Sequence, residues 1–263
     1  MRKPGQVFLV GAGPGDPELL TLKAARILGE AQAVVYDRLV SEEVLALTPP
    51  LARLIPVGKA PKSHPVPQER INEILVELAL DGLTVVRLKG GDPMIFGRGS
   101  EEAAALSAAG VPFEIVPGIT AAQGAAAATG VPLTHRGLAS GIRYITGHCR
   151  EDRPLDLDWA GLADPQTTLV VYMGAGAIAE IAARLLGEGL PASHPVMAVA
   201  SATTPQELRL VSSLGRIAED AAAASLRGPV LFVIGEVVSL YRSCPDTVLA
   251  LLATSPSRDA VYA

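Results

Sequence analysis

The sequence predicts an α/β protein of two domains, with a parallel five-stranded sheet in the N-terminal part and a mixed sheet in the C-terminal part, both flanked by helices. Three observations predict this. Through residue 116, short valine-, isoleucine- and leucine-rich runs alternate with segments of helical spacing. Those runs are apolar at nearly every position, as strands covered on both faces are. Long glycine-rich loops follow the strands, at the sheet edge where α/β proteins bind ligands.

The elements follow in order. Val7–Val10 reads as a strand. Glu18–Gly29 carries Leu20, Ala24, Ile27 and Leu28 at helical spacing, with Thr21 as a candidate N-cap. Ala33–Tyr36 is a second strand, and Ser41–Leu47 a short helix capped by Ser41. Arg53–Val57 is a third strand. Gln68–Asp81 is an amphipathic helix with Ile71, Ile74, Leu75 and Leu78 on one face. Val85–Leu88, a helix over Glu101–Ala109 stopped by Gly110, and a strand at Phe113–Val116 complete the first domain, residues 1–116.

Pro117-Gly118 marks the expected break, and the second domain spans 117–263. It opens with an alanine-rich helix, Ala121–Thr129. Strands are expected at Arg143–Thr146, Thr168–Tyr172, Val196–Ala200, Leu208–Ser212 and Val230–Ile234, with helices at Ala177–Leu186 and Leu214–Ala224. Residues after Thr254 read as a loose tail.

The chain's 263 residues, 49% of them hydrophobic, suffice for one large or two modest cores. A net charge of −5 gives no electrostatic footprint for nucleic acid. No run approaches the ~18 apolar residues of a membrane span. The amino terminus reads as a first strand rather than a signal peptide, because glycine breaks its apolar run. The two cysteines, Cys149 and Cys244, are too few for a disulfide framework and fit a reducing cytoplasm.

The chemistry is expected in the loops. GAGPGD, Gly11–Asp16, ends the first strand as either a tight turn or a dinucleotide fingerprint, with Asp37 at the spacing of a ribose-binding acid. Against the second reading, Pro14 lacks an N–H and Pro17 delays the helix. Asp37 either caps the next helix or lines a pocket. Lys89–Glu102, KGGDPMIFGRGSEE, exceeds the two to six residues usual for a strand-to-helix connection. Its Gly90-Gly91-Asp92 turn can offer main-chain atoms to a flat ligand. Phe96 is either core or a stacking wall. Arg98, between two glycines, suits recognition of a carboxylate or phosphate. Glu101 is either a first-turn helix acid or a site residue. In Pro117–Arg136, small residues allow close approach, and the segment exits through His135-Arg136. Met173 is either core or a pocket rim. Neither His135 nor His148 has a metal-ligand spacing partner, so no metal is expected.

These segments together resemble the tetrapyrrole methyltransferases. GAGPGDPELLT, YDRLV, VGK, RLKGGDPMIFGRGSEE, VPGITAA, GVPLTHRG, YITGH and VVYMG occur in that family's order, from Val7 to about Leu240. The chain departs from the family pattern at Lys59–His64, at Ser100 where glycine is common, and at Ala121 where serine is frequent. The resemblance implies a two-domain enzyme of the tetrapyrrole-methylase type. It implies S-adenosylmethionine bound in a cleft between the domains by Pro14, Gly90, Gly91, Asp92, Ile95, Thr120, Ala121, Met173, Ala202 and Val230. It implies catalytic roles for Asp37, Arg98, Glu101 and Arg136, with Phe96, Arg98 and Arg136 against the substrate and Lys62 a further contact. The implied acceptor is uroporphyrinogen III, methylated twice, and the implied assembly is a homodimer without the appended dehydrogenase/ferrochelatase domain of fused relatives. Relatives of the same fold that act on later corrins, ribosomal RNA or diphthine fit YDRLV, GRGSEE and PLTHR less well.

Overall fold

The computed structural model describes residues 4–58, 66–148 and 155–242. The Lys59–His64 segment with Lys62, both cysteines and the tail after Thr254 lie outside the described residues. The chain packs as two compact units, Met1–Ala128 with Ala202–Pro205, and Thr129–Ser201 with Gln206–Ala263. The break expected near Pro117 therefore falls after the alanine-rich helix. The reason lies in that helix's small residues: a Cβ on Gly124 would stand 2.6 Å from the Pro14 ring, so the helix is seated on the first unit.

In the first unit, strands β1 (Gln6–Gly11), β2 (Ala33–Tyr36), β3 (Arg53–Pro56), β4 (Thr84–Lys89) and β5 (Phe113–Val116) form one sheet in the order β3-β2-β4-β1-β5. Every pairing is parallel, as predicted. The helices are α1 (Leu22–Gly29), α2 (Glu42–Leu45), α3 (Gln68–Leu80), α4 (Gly99–Ala108) and α5 (Ala121–Thr129). Alternation along the strands divides the core between two faces. Val7, Leu9, Val35 and Val85 pack with Ile71, Leu75 and Leu78 of α3 and Leu106 of α4. Val10, Val34, Val86, Leu88 and Val116 pack with Ala24, Ile27 and Leu28 of α1. Covering both faces is what the continuous apolar runs required.

The first helix starts later than expected. Thr21 caps it, its Oγ1 accepting from the Ala24 N–H at 3.1 Å, and Pro17–Leu19 instead form a 3-10 turn capped by Asp16. Ser41 caps α2 as predicted.

In the second unit, β6 (Gly141–Thr146), β7 (Thr167–Tyr172), β8 (Pro195–Ala200), β9 (Leu208–Ser213) and β10 (Val230–Ile234) run in the order β6-β7-β10-β8-β9. β6 and β7 are parallel and the other pairs antiparallel, so the sheet is mixed as expected. One face carries α6 (Trp159–Leu162), α7 (Ile178–Gly187) and α8 (Ile217–Ala223) over a core of Leu169, Val171, Val196, Ala198, Phe232 and Ile234. The last helix begins at Ile217 rather than Leu214. Leu214 and Gly215 are held instead in a turn, their N–H groups donating to the His194 and Ala192 carbonyls. Among the described residues no helix is long and apolar enough to cross a membrane.

Candidate active site

The carboxyl ends of β1, β4 and β5 meet at four glycines, Gly11, Gly13, Gly91 and Gly118. The Gly13 and Gly91 main chains exchange hydrogen bonds, and Ala12 N–H donates to the Lys89 carbonyl at 2.7 Å. A Cβ on Gly118 would stand 2.3 Å from the Gly91 oxygen, and one on Gly11 would stand 2.6 Å from the same atom. Side chains there would drive the loops apart, so glycine is a packing requirement. Asp92 ties the loops: its carboxylate accepts from the Gly118 N–H at 3.0 Å and the Met94 N–H at 2.8 Å. A Cβ on Gly91 would lie in ordinary van der Waals contact, 3.8 Å from both Thr120 Cα and Ala121 N, so it is the φ of 68° rather than crowding that calls for glycine there. The expected contributors Gly90, Gly91, Asp92, Thr120 and Ala121 are thus brought together.

Pro14 and Ala202 belong to the same unit. The first loop is tied to the 202–205 segment by the Asp16 N–H, which donates to Thr203 Oγ1 at 3.3 Å, and Ser41 Oγ donates to the Gly15 carbonyl. This loop is built around proline contact with α5, not around free N–H groups opening a helix. That geometry disfavours the dinucleotide fingerprint.

The loop between β4 and α4 is strained. Phe96 and Arg98 hold φ of 52° and 58°, in the left-handed region that L side chains seldom adopt. Each such residue costs on the order of 1–3 kcal/mol, and strain of this kind concentrates at functional sites. Phe96 and Met94 remain exposed, so Phe96 is not core. Arg98 precedes the first turn of α4 and grips Glu101 with two bonds, Nε–Oε1 at 2.8 Å and Nη2–Oε2 at 2.7 Å. The Glu101 carboxylate raises the Arg98 pKa further above its ordinary value. Both side chains are about half exposed, at 52% and 51%.

Asp37 leads inward rather than outward. Its Oδ1 accepts from Arg87 Nη2 at 2.6 Å, and Arg87 is 1% exposed. The same guanidinium donates through Nε to Glu102 Oε1 at 2.9 Å. Lys89 Nζ donates to that oxygen at 2.9 Å and lies 3.9 Å from Asp37 Oδ2. Gln68 Nε2 completes the set at 3.3 Å. Burial, and after it the Arg87 charge, hold the Lys89 ammonium below its ordinary pKa. This buried network was not anticipated, and Glu101 was singled out where its neighbour Glu102 is the inward acid. The signal was present: Arg87 and Lys89 lie two apart in an otherwise apolar strand, hence on one face of the sheet.

Ile95 is half-buried in the first unit, its N–H donating to the Asp92 carbonyl at 3.3 Å, and the other expected residues, Met173, Val230 and Arg136, belong to the second unit. Met173, just past β7, is exposed with φ of 52°. Val230 is buried and pairs with Ala200. Arg136 is exposed on a turn closed by the His135–Ala139 bridge, at an open groove of about 500 Å³ lined by residues 134–140 and Gln166. Among the described residues no group of three or more His, Cys, Asp or Glu could hold a metal ion.

Residues 6–218 match the family of tetrapyrrole (corrin/porphyrin) methylases. The chain is 61% identical over 240 residues to a uroporphyrinogen-III C-methyltransferase of Paracoccus denitrificans, covering 91% of this chain and 84% of that one. It is 49% identical over 249 residues to a siroheme synthase of Methylococcus capsulatus, covering 92% of this chain but only 52% of the longer relative. The chain therefore spans about half the length of that siroheme synthase. A crystal structure of uroporphyrin-III C-methyl transferase from Thermus thermophilus, complexed with S-adenyl homocysteine, matches with a TM-score of 0.77 and 47% identity over 90% of this chain and 100% of that one. On the match along most of its length and on these identities, the chain belongs to the tetrapyrrole (corrin/porphyrin) methylases.

Proposed function

We propose that this protein transfers two methyl groups from S-adenosylmethionine to uroporphyrinogen III, at carbons 2 and 7, giving precorrin-2 for siroheme or cobalamin synthesis. The observation that carries this reading is the 61% identity, over 91% of the chain, to the Paracoccus enzyme. The glycine crossing and the strained loop at the carboxyl edge of the parallel sheet support it.

S-Adenosylmethionine, when bound, supplies a methyl group already activated as a sulfonium. The chain's own residues align the two reactants, an effect worth roughly 7–11 kcal/mol when geometry is good. In this reading Pro14, Gly90, Gly91, Asp92, Ile95, Thr120, Ala121, Met173, Ala202 and Val230 hold the donor.

Phe96, Arg98 and Arg136 take the tetrapyrrole. Uroporphyrinogen III carries eight carboxylates, whereas the chain's net charge is −5, so local arginines supply the complementarity. An arginine, with a pKa above ~12, is an anchor rather than a base. Arg98 already holds one carboxylate, that of Glu101, in a two-bond grip. Exchanging it for a substrate carboxylate conserves the number of bonds. Asp37 is the anion that answers the positive charge left on the methylated pyrrole. A homodimer and a cytoplasmic location belong to the same reading, supported by the family resemblance and the low cysteine count.

Calorimetry tests the donor assignment. S-Adenosylhomocysteine is expected to bind and NAD is not; tight NAD binding with none of S-adenosylhomocysteine contradicts the reading.

A further inference from the structure

Four ionisable side chains stand together in the first unit: Glu102 on α4, Arg87 and Lys89 on β4, and Asp37 after β2. Glu102 is 0% exposed, Arg87 1% and Lys89 3%. Only Asp37 reaches solvent, with 30% of its side chain exposed. Removing charges from water is expensive, and a buried ion pair is weak evidence for stability, since apolar residues of similar volume often do as well. The sheet around these groups shows that alternative in use: Val7, Leu9, Val35 and Val85 fill the same core face. Stability is therefore a poor account of the network, and its one solvent-reaching end suggests a better one.

We infer that Glu102 is a positioning residue that acts through Arg87 to set the Asp37 carboxylate in its working place. The inference rests on the functional reading above. A single Glu102 oxygen, Oε1, accepts from Arg87 Nε, Lys89 Nζ and Gln68 Nε2. Glu102 thereby fixes the near edge of the guanidinium. The fork is rigid and planar, so fixing Nε fixes Nη2 as well. Nη2 is the atom that holds Asp37 Oδ1 at 2.6 Å, while Arg87 Nη1 faces the Val35 and Leu88 carbonyls. The arginine is thus constrained on three sides and can present Asp37 in one orientation. Lys89 approaches the other Asp37 oxygen at 3.9 Å, so both ends of that carboxylate meet a cation that Glu102 anchors. Charges balance across the four groups, two cations against two carboxylates. Neutralising Glu102 leaves two cations facing Asp37 alone and frees the guanidinium to turn toward it.

The test is a double-mutant cycle of E102Q and D37N, read by single-turnover methyl transfer to uroporphyrinogen III, with KM and kcat resolved for the wild type and E102Q. Outer-shell partners that orient metal ligands cost about 10–100-fold when changed, and the same range is the expected size for a residue that orients a catalytic carboxylate. E102Q is expected to lower kcat by that factor with KM for S-adenosylmethionine within about twofold, and to add less than about twofold to the loss in D37N. A merely structural Glu102 gives losses that multiply with those of D37N, and that result overturns the inference. So does near-wild-type turnover in either single variant. If E102Q does not fold, R87K carries the same cycle: it keeps the charge beside Glu102 but lacks the second arm to Asp37, and a loss that persists undiminished in D37N overturns the proposal. A wild-type protein that makes no methylated product fails the functional reading instead.

Discussion

Arg87 Nη2 lies 2.6 Å from Asp37 Oδ1, joining an arginine that is 1% exposed to a carboxylate at the open end of β2. Because the same guanidinium also meets Glu102, removing it takes a charged partner from two carboxylates at once and leaves the fully buried Glu102 to Lys89 and Gln68. Replacing Arg87 with methionine should destabilise the protein by about 3–5 kcal/mol, the cost of breaking rather than replacing a buried pair. Urea denaturation measures it. A loss below ~1 kcal/mol would mean that Glu102 finds adequate compensation in Lys89 and Gln68.

The exposed pair behaves differently. Arg98 and Glu101 are each about half in water, so their bridge contributes about 0–1 kcal/mol. R98A should melt near the wild-type temperature and still bind S-adenosylhomocysteine. Its turnover should fall by ~10²–10³, as for loss of one transition-state contact. Retained activity would reduce Arg98 to a surface residue.

The glycine crossing separates packing from propensity. G118A places a methyl 2.3 Å from the Gly91 oxygen, a backbone atom that cannot swing away. Overpacking of this kind costs about 1–3 kcal/mol. G29A, at the end of α1, meets nothing within 4 Å and should be neutral or stabilising by up to about 1 kcal/mol. Equal melting shifts for the two would count against the close approach of the loops.

The second unit carries a pH dependence. His194 is buried, with Nδ1 3.3 Å from Glu236 Oε1. Burial lowers its pKa below the ordinary 6.5, outweighing the opposing pull of Glu236. As pH falls, the unfolded chain takes up this proton first. The stability contributed by neutral His194 is therefore complete above about pH 6.5 and is lost as pH drops through the range beneath. H194Q should flatten the fall in denaturation midpoint between about pH 7 and pH 5. An unchanged slope would assign the acid sensitivity to carboxylates.

Much of the fold was legible because the chain states it locally. Continuous apolar runs, helical spacing in Gln68–Leu80 and hydroxyl caps at Thr21 and Ser41 are short-range signals, and each found its element. What failed was set by distance in sequence. Gly124 joined the first unit through Pro14, more than a hundred residues earlier. The 202–205 segment joined it through the Asp16–Thr203 contact. In the candidate site the glycine loops were readable, since only turns and close approaches demand such a run. Glu102 was missed beside Glu101 because one residue of helical rotation decides which acid faces the sheet, and only packing fixes that rotation. Arg87 and Lys89 could have been seen as paired charges on one face of a buried strand.

Anaerobic incubation of the protein with uroporphyrinogen III and S-adenosylmethionine, followed by mass analysis of the tetrapyrrole, tests the central claim most directly. The account predicts a product carrying two added methyl groups and two molecules of S-adenosylhomocysteine per tetrapyrrole consumed. Uroporphyrinogen III recovered unmodified by a protein that methylates a later corrin intermediate would contradict the substrate assignment.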